Sequence, residues 1–254
     1  MSTVYPKKHL GQHFLHDEKI AKKIVQSLSF IGYSSIVELG PGMGVLTQYL
    51  IDRTNDLFVL EIDTESVKYL HKVFPSLKNR IIHMDFLQCN PMLSSFALIG
   101  NFPYNISSKI LFFFLKYRHC IPECIGMFQK EVAERIAAPY GNKTYGILSV
   151  LIQAFYEVEY IFTVPKNFFY PHPKVKSSVI RLHRKSGVVV DESVLFKIVK
   201  VSFNQRRKKL RNTLQSLNLS ESFYKIPILD QRAEQLSVQQ FIQLSDQYLN
   251  DKAS

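Results

Sequence analysis

The sequence predicts an α/β fold: a mostly parallel sheet with an antiparallel edge strand, followed by a small all-helical C-terminal domain. From residue 35 onward, apolar strand-like runs alternate with segments of helical spacing. Strands that alternate with helices are joined by right-handed crossovers, which makes their sheet mostly parallel. Beyond Lys185 no strand-like run remains, and Gly187 marks a break. We therefore predict two domains, residues 1–185 and 186–254.

The predicted strands and helices can be read in chain order. Five runs predict the parallel strands: SSIVELG, LFVLEID, RIIHMDF, FALIG and ECIGMFQ. A helix is predicted to begin at Val45, and helical spacing recurs in ESVKYLHKVF, SSKILFFFLKY and KEVAERIAA. VEYIFTV and VKSSVIRLHR follow with little helix between them, so they predict a hairpin that adds the antiparallel edge. Apolar residues at helical spacing over 191–217 and 237–249 predict the helices of the second domain.

Composition limits the class of protein. Apolar residues make up 46% of the chain, which is enough for a packed core. The longest apolar run, residues 110–115, is too short to span a bilayer, and the first residues lack the apolar stretch of a secretion signal. We therefore expect a soluble, cytoplasmic protein. Cys89, Cys120 and Cys124 lack the spacing of zinc ligands, so we expect reduced thiols and no metal site.

Positive charge is concentrated in one stretch. Of the net charge of +11, the segment from Lys174 to Arg211 carries +10. Concentrated positive charge favours polyanions, of which nucleic acid is the commonest, whereas an anionic membrane surface would need an apolar helix face that this stretch lacks. Acidic residues at helical spacing are absent around its densest part, so we predict phosphate contacts there, the alternative being a solvated helix face. The predicted RNA-binding residues are Arg206, Arg207, Lys208, Lys209 and Arg211.

A glycine-rich turn follows the first predicted strand. ELGPGMG places Gly40, Gly42 and Gly44 at this turn, with Glu38 just before them. Glycines let a chain turn sharply and approach a ligand closely before a helix begins. Nicotinamide-binding fingerprints separate the second and third glycines by two residues, whereas here one residue separates each pair. Because the turn also lacks the lysine of a phosphate-binding loop, it is less suited to a pyrophosphate.

Polar side chains stand where the next predicted strands end. Glu61 follows the second strand, where a carboxylate can accept both hydroxyl protons of a ribose. Asp85 follows the third, where it can accept from an exocyclic amine such as adenine N6, and Asn101 ends the fourth. Each carboxylate alone is typical of a strand-end cap or a solvated loop. Together at the carboxyl edge of a parallel sheet they form a nucleoside-shaped arrangement.

These motifs carry a family resemblance. ELGPGMG, Glu61, Asp85 and NFPY together resemble the class I S-adenosylmethionine-dependent methyltransferases. With GQHFL, QKEVAERI, YGILSVL, FYPHPKVKSSVIRL and FNQRRKKLRNTL in order, the chain resembles the ribosomal RNA adenine N6,N6-dimethyltransferase family over roughly residues 7–250. The resemblance implies a Rossmann-like class I methyltransferase sheet, S-adenosyl-L-methionine as cofactor, a catalytic domain over 1–185 and a helical RNA-binding domain over 186–254.

The resemblance also implies a substrate and a cofactor pocket. FNQRRK is similar to the members that dimethylate two adjacent adenosines near the 3′ end of small-subunit (16S) ribosomal RNA, so we expect an enzyme that acts on an immature 30S particle during ribosome biogenesis. We also expect a monomer, although this expectation is tied to no motif. The family usually has Asn where this chain has His13, which leaves that contact open, and Leu where Phe102 stands. The implied cofactor-binding residues are His13, Leu15, Gly40, Gly42, Glu61, Ile62, Asp85, Phe86 and Asn101.

NFPY supplies the chemistry of the predicted transfer. The adenine amine is a poor nucleophile, and two acceptors that grip its N–H bonds would aim the nitrogen lone pair: the Asn101 amide oxygen and the carbonyl of Phe102 or Pro103. Pro103 fixes φ and so the direction of that carbonyl. Tyr104 can stack on one face of the base, and the resemblance places Phe169 on the other. This arrangement needs neither a general base nor a metal.

Two other functions share these residues. Large-subunit (23S) ribosomal RNA methyltransferases of the macrolide-resistance type share every cofactor residue, and the FNQRRK segment, which they typically lack, discriminates against them. An assembly factor that acts mainly by binding the small subunit is the second alternative. A bare nucleic-acid-binding module would explain the basic stretch and leave the acidic strand ends unexplained.

Overall fold

The computed structural model describes residues 4–54, 56–90 and 93–253, which form two sheets and a set of helices. The strands are β1 (Phe14–Leu15), β2 (Ser35–Leu39), β3 (Leu57–Glu61), β4 (Ile81–His83), β5 (Phe96–Asn101), β6 (Glu123–Gln129), β7 (Tyr156–Val164), β8 (Phe169–Tyr170) and β9 (Ser177–Arg184). The helices are α1 (Glu18–Gln26), α2 (Thr47–Leu50), α3 (Thr64–Val73), α4 (Ser107–Lys116), α5 (Lys130–Ala137), α6 (Ile147–Phe155), α7 (Glu192–Asn204), α8 (Leu210–Thr213), α9 (Glu221–Tyr224) and α10 (Val238–Ala253).

A seven-stranded sheet with the order β4-β3-β2-β5-β6-β9-β7 is the centre of the fold. The pairs from β4 to β6 are parallel, and β9 is antiparallel to β6. The predicted fold class is therefore confirmed, and the antiparallel strand β9 follows the parallel strands on one side. All five residues of β2 are buried, which explains why the strand appears in the sequence as a near-continuous apolar run.

The connection from each strand to its helix is set by a few side chains. Asp63 lies between β3 and α3, where its carboxylate accepts from Glu65 N at 3.3 Å. Asp17 caps α1 in the same way and accepts from Ile20 N at 2.8 Å. An aspartate at this position satisfies one of the unpaired N–H groups of a helix's first turn. The parallel strands therefore end together at one edge, and short turns lead from that edge into the helices.

The chain divides into two compact units. The first contains the described residues up to Ala133 together with Glu157–Arg184, and the second contains Glu134–Tyr156 together with the chain from Lys185 onward. The predicted boundary near Lys185 coincides with the second entry into the helical unit. The other part of the helical unit, residues 134–156, was expected in the first domain. The difference arises because the apolar helix α6 packs against α7 and α10.

The helical spacing predicted over 191–217 is interrupted in the structure. Helix α7 ends at Asn204 and α8 begins at Leu210, so basic residues 206–209 lie in the irregular connection between two helices and Arg211 lies in α8. Among the described residues, no helix is both long and apolar enough to cross a membrane.

Candidate cofactor and substrate site

A cavity of about 300 Å³ opens in the first unit at the carboxyl edge of the sheet. The turns after β2, β3, β4 and β5 line it, together with the segment before α1 and the start of α4. Most of the predicted catalytic and cofactor-binding residues meet here, and only Leu15 and Phe169 of that set lie elsewhere. The predicted residues that line the cavity are His13, Gly40, Gly42, Glu61, Ile62, Asp85, Phe86, Asn101, Pro103 and Tyr104.

Glu61 ends β3 as a buried carboxylate, with only 4% of the residue exposed. Its Oε1 accepts from Ile62 N at 2.8 Å and from Asp63 N at 2.9 Å, and its Oε2 accepts from Gly42 N at 3.1 Å. Burial raises the pKa of Glu61, while these backbone donors act in the opposite direction. The side chain is thereby fixed at the cavity wall and ties the end of β3 to the glycine turn after β2.

The glycine turn depends on positive φ angles. Gly40 and Gly42 have φ of +62° and +58°, which favour residues without a Cβ. A Cβ on Gly42 would lie 2.7 Å from the Phe14 ring, whereas a Cβ on Gly40 would meet no protein atom within 4 Å. The space beside Gly40 is therefore open to a ligand that approaches the backbone closely.

Glu38 lies behind the cavity and does not line it. This residue is 1% exposed, and its Oε2 accepts from the Thr47 hydroxyl at 2.6 Å. Burial, to which the charge of Glu61 adds, raises the pKa of Glu38 to about 8. Glu38 and Leu15 border a neighbouring small cavity of about 30 Å³. The predicted cofactor contact of Leu15 is therefore not made through the main cavity.

Asp85 both caps a turn and lines the cavity, the two roles between which the sequence did not decide. Its Oδ1 accepts from Leu87 N at 2.9 Å, so it caps the turn after β4, and it also lines the cavity. Phe86 follows it, with its ring centroid 4.0 Å from that of Phe113 on α4. The packing holds the turn of Asp85 and Phe86 against α4, with both residues at the cavity wall.

Asn101 has a fixed amide orientation. Its Nδ2 donates to the His13 carbonyl at 2.8 Å, and because a carbonyl only accepts, the nitrogen must face His13. The Asn101 Oδ1 is then left to accept. The Pro103 carbonyl already accepts from Ile106 N at 3.2 Å, whereas the Phe102 carbonyl has no such partner among the described residues. Of the two carbonyls proposed to complement the amide, that of Phe102 is the better placed.

Tyr104 joins the cavity to a loop of the same unit. Its ring stacks on His13, with centroids 5.4 Å apart and planes inclined by 29°, and its hydroxyl is hydrogen-bonded to the Ser177 hydroxyl. His13 Nδ1 lies 2.7 Å from the Pro171 carbonyl, and since that oxygen only accepts, Nδ1 carries the proton. His13 therefore contacts Tyr104 with its ring, Asn101 with its carbonyl and the 171–176 loop with Nδ1.

Phe169 is a correction to the predicted site. It is 0% exposed, belongs to the hydrophobic core and does not line the cavity. The reason is the pairing of the two-residue strands β1 and β8, in which Phe169 lies opposite Leu15 and Tyr170 lies opposite Phe14. Successive side chains of a strand alternate between faces, so Phe169 is buried while Tyr170 is 61% exposed. In this structure Phe169 offers no free face to a base.

Part of the cavity wall is formed by residues that the sequence did not predict. The short turn that precedes His13 contributes His9, Leu10, Gly11 and Gln12, and the segment after NFPY contributes Asn105, Ile106 and Lys109. GQHFL signals the first group, since the motif resemblance already placed His13 there. Lys109 is five residues after Tyr104, whereas neighbours on a helix face are three or four residues apart, so this spacing provides no signal for Lys109.

The basic segment, residues 205–211 of the second unit, differs from its prediction. Arg206 Nε lies 2.6 Å from Glu234 Oε2, and Arg211 Nη2 lies 2.7 Å from Asp230 Oδ2. Lys209 Nζ contacts the same aspartate at 3.1 Å. The acidic partners expected to be absent are therefore supplied by a later turn of the chain. Arg207 and Lys208 are exposed and have no ion-pair partner among the described residues.

The fold and the site together define a class of protein. A mostly parallel sheet carries a glycine turn after its first long strand, a buried carboxylate after the next and an Asn-Phe-Pro-Tyr turn at the same edge. This is the arrangement of a class I methyltransferase.

Comparison with known proteins gives the family. The chain belongs to the ribosomal RNA adenine dimethylase family, whose model matches residues 5–250. It is 56% identical to the ribosomal RNA small subunit methyltransferase A of Cytophaga hutchinsonii, over 97% of this chain and 98% of that protein. It is also 56% identical to the protein of that name from Flavobacterium johnsoniae, with 96% of each chain covered.

Two solved structures share the fold. A dimethyladenosine transferase from Plasmodium falciparum superposes with a TM-score of 0.84 at 23% identity, covering 94% of this chain and 98% of that one. The 23S rRNA methyltransferase ErmE superposes with a TM-score of 0.70 at 25% identity, covering 92% and 99%. The recognised resemblance and the predicted fold class are therefore both confirmed.

Proposed function

We propose that this protein is an S-adenosylmethionine-dependent enzyme that dimethylates N6 of two adjacent adenosines near the 3′ end of small-subunit ribosomal RNA. The observation that supports it most directly is the pair of acceptors at the cavity, Asn101 Oδ1 and the Phe102 carbonyl, in the same cavity as the buried carboxylate of Glu61. Membership of the ribosomal RNA adenine dimethylase family supplies the reaction class. The 56% identity with two proteins named for the small subunit supports the choice of RNA.

The cavity fits a nucleoside cofactor. Glu61 would accept from the ribose hydroxyls, Asp85 from the adenine amine, and the open space beside Gly40 would take the methionine part. The cofactor supplies a methyl group on an electrophilic sulfonium. Ile62, Phe86 and the other cavity residues close the apolar walls around it.

The residues of NFPY would prepare the amine. An N–H bond donated to Asn101 Oδ1 and a second donated to the Phe102 carbonyl would orient the nitrogen lone pair toward the cofactor side of the cavity. Both acceptors are held by the protein before the base arrives, Asn101 through its hydrogen bond to His13 and Phe102 through N–H donation to the Met127 carbonyl at 3.2 Å. Orientation of this kind supplies rate without a general base. Tyr104 would stack on the extruded base, and a role of Phe169 there would require it to leave the core.

The second unit would hold the RNA substrate. We assign Arg207 and Lys208 the first contacts with phosphate, because they are exposed, while Arg206, Lys209 and Arg211 would exchange a carboxylate partner for a phosphate. An immature small-subunit particle as the substrate, a monomeric enzyme and a cytoplasmic location form part of this proposal. They agree with a substrate that is assembled in the cytoplasm and with three free cysteines.

Radiolabelled S-adenosylmethionine tests the function directly. Small subunits that lack this modification and large-subunit RNA are incubated in parallel, and the digested nucleosides are separated. We expect labelled dimethyladenosine only from the small subunit and none with Asn101→Ala. Label only in large-subunit RNA would refute the substrate assignment in favour of the 23S type of enzyme. Subunit binding with no label from wild-type protein, despite cofactor binding, would favour an assembly factor.

A further inference from the structure

Lys109 lines the cavity, and three more lysines of the first unit lie on segments that are bound to its wall. We call these four the basic rim: Lys8, Lys109, Lys174 and Lys176. All four are exposed, and their ammonium groups have no ion-pair partner within residues 4–54, 56–90 and 93–253. We propose that the basic rim binds the phosphates that flank the target adenosine and holds the RNA backbone while the base enters the cavity. This inference rests on the proposed function and adds an RNA surface in the catalytic unit.

Lys8 and Lys109 belong to two segments that pack against each other beside the cavity. Lys8 begins a short helical turn, Lys8–Leu10, whose next two residues line the cavity. The turn packs against the segment after NFPY so closely that a Cβ on Gly11 would lie 2.6 Å from Asn105 Oδ1. Lys109 itself lines the cavity four residues beyond Asn105. The turn and the start of α4 therefore form one continuous edge.

The loop that carries Lys174 and Lys176 is bound to the same edge. Pro171, at its beginning, accepts from His13 Nδ1 at 2.7 Å, and Ser177, at its end, is hydrogen-bonded to Tyr104. The Lys176 carbonyl also accepts from Lys130 N at 2.9 Å. Both ends of the loop are thus attached to residues that line the cavity, which brings the two lysines to its mouth.

The state of these charges distinguishes the basic rim from other cations of the protein. Lys7, the neighbour of Lys8, pairs with Asp63 and lies 3.4 Å from Glu65. In the basic segment, Arg206, Lys209 and Arg211 also have carboxylate partners. A paired cation must lose its partner before it binds phosphate, whereas an unpaired one binds phosphate and releases RNA counterions directly. The rim lysines are therefore better prepared for RNA than most of the basic segment.

Base extrusion would bring RNA phosphates close to the basic rim. An enzyme that acts on a base turns the nucleotide out of its stack into a pocket, and the phosphates on either side stay at the pocket mouth. Phosphate contacts there fix register without reading sequence. Lysines on both the α4 side and the loop side would hold the backbone on the two sides of the extruded nucleotide.

Salt-dependent RNA binding tests the proposal. The variants are Lys8→Gln/Lys109→Gln and Lys174→Gln/Lys176→Gln, and the control is Lys78→Gln, an exposed lysine that precedes β4 at the opposite, amino-terminal end of the strands. The probe is a fluorescent RNA hairpin with adjacent adenosines in its loop, titrated between ~50 and ~200 mM salt. Cofactor affinity and thermal unfolding are measured for every variant.

We expect each double variant to reduce the slope of log K against log salt by about 1 per lysine, with the unfolding temperature unchanged. For Lys174→Gln/Lys176→Gln, whose residues do not line the cavity, we also expect unchanged cofactor affinity. Lys78→Gln should match wild type. Unchanged slopes in both double variants would overturn the proposal, and so would a loss of cofactor affinity equal to the loss of RNA affinity in Lys8→Gln/Lys109→Gln. Wild-type protein that methylates small subunits in the same preparation shows that such a result concerns the rim and leaves the proposed function standing.

Discussion

Glu38→Gln should make the protein more resistant to unfolding at alkaline pH. Glu38 is almost fully buried, and burial raises its pKa from 4.5 to about 8. In the unfolded chain the carboxyl ionises near its ordinary value, so between these two pH values the unfolded state loses a proton that the folded state keeps. Stability therefore falls as pH rises through this range and levels off above about pH 8.

The size of the effect follows from the same values. One pH unit corresponds to about 1.4 kcal/mol, so the full interval amounts to roughly 5 kcal/mol as an upper bound. Glutamine has the size of the protonated acid, and its amide oxygen can accept from the Thr47 hydroxyl as Glu38 Oε2 does at 2.6 Å. The variant should therefore resemble wild type near pH 5 and exceed its stability by several kcal/mol at pH 9.

Urea unfolding at a series of pH values measures this difference. The free energy of unfolding is compared for wild type, Glu38→Gln and Glu157→Gln, the last being a control at an exposed carboxylate on β7. We expect the gap between wild type and Glu38→Gln to widen from pH 5 to pH 8 and then stay constant. A gap that is the same at every pH would refute the reasoning, because it would mean that Glu38 is ionised to the same extent in both states.

Three further changes have defined outcomes. Gly42→Ala places a Cβ at φ +58° and 2.7 Å from the Phe14 ring. It should cost roughly 1–2 kcal/mol of backbone strain and weaken cofactor binding measured by calorimetry. Unchanged cofactor affinity would contradict this prediction. Phe169→Ala removes a fully buried ring and should lower the free energy of unfolding by about 3–5 kcal/mol in urea titrations. A defect in RNA binding with normal stability would instead support the base-stacking role first predicted for Phe169. Asp230→Asn removes the carboxylate partner of Lys209 and Arg211 and should strengthen binding of the RNA hairpin at low salt. Weaker binding would contradict this prediction, because it would mean that RNA binding needs the ion pairs to order these two side chains.

Much of the fold follows from the sequence because the parallel strands are buried on both faces. Strands such as β2 and β5 have nearly every residue in the core, so they stand out as short apolar runs between helical segments. The site follows from the same property. Once the strands are located, the rule that ligands bind at the carboxyl edge of a parallel sheet selects Glu61, Asp85 and Asn101 without further knowledge of the structure.

The features that the sequence does not predict depend on contacts between distant parts of the chain. Phe169 is buried because of a two-residue pairing with β1, which is too short to leave a pattern of its own. The carboxylates that pair with the basic segment, Asp230 and Glu234, lie about 20 to 30 residues away and are brought in by tertiary folding. Residues 134–156 belong to the helical unit through the packing of α6, although in sequence they stand between strands of the sheet.

The residue type at position 101 is constrained at both ends of its side chain. Its nitrogen donates to the His13 carbonyl at 2.8 Å, which leaves the oxygen as the proposed acceptor for the target amine. An aspartate would set a second acceptor against that carbonyl, and a buried acceptor without a donor costs about 1–3 kcal/mol. Since His13 also stacks on Tyr104 and binds the Pro171 carbonyl, the loss of this hydrogen bond would disturb the stacking platform as well as the amine acceptor. In the proposed mechanism an amide at this position would therefore serve two contacts at once, because its oxygen would accept from the reacting nitrogen while its nitrogen holds in place the segment that supports Tyr104.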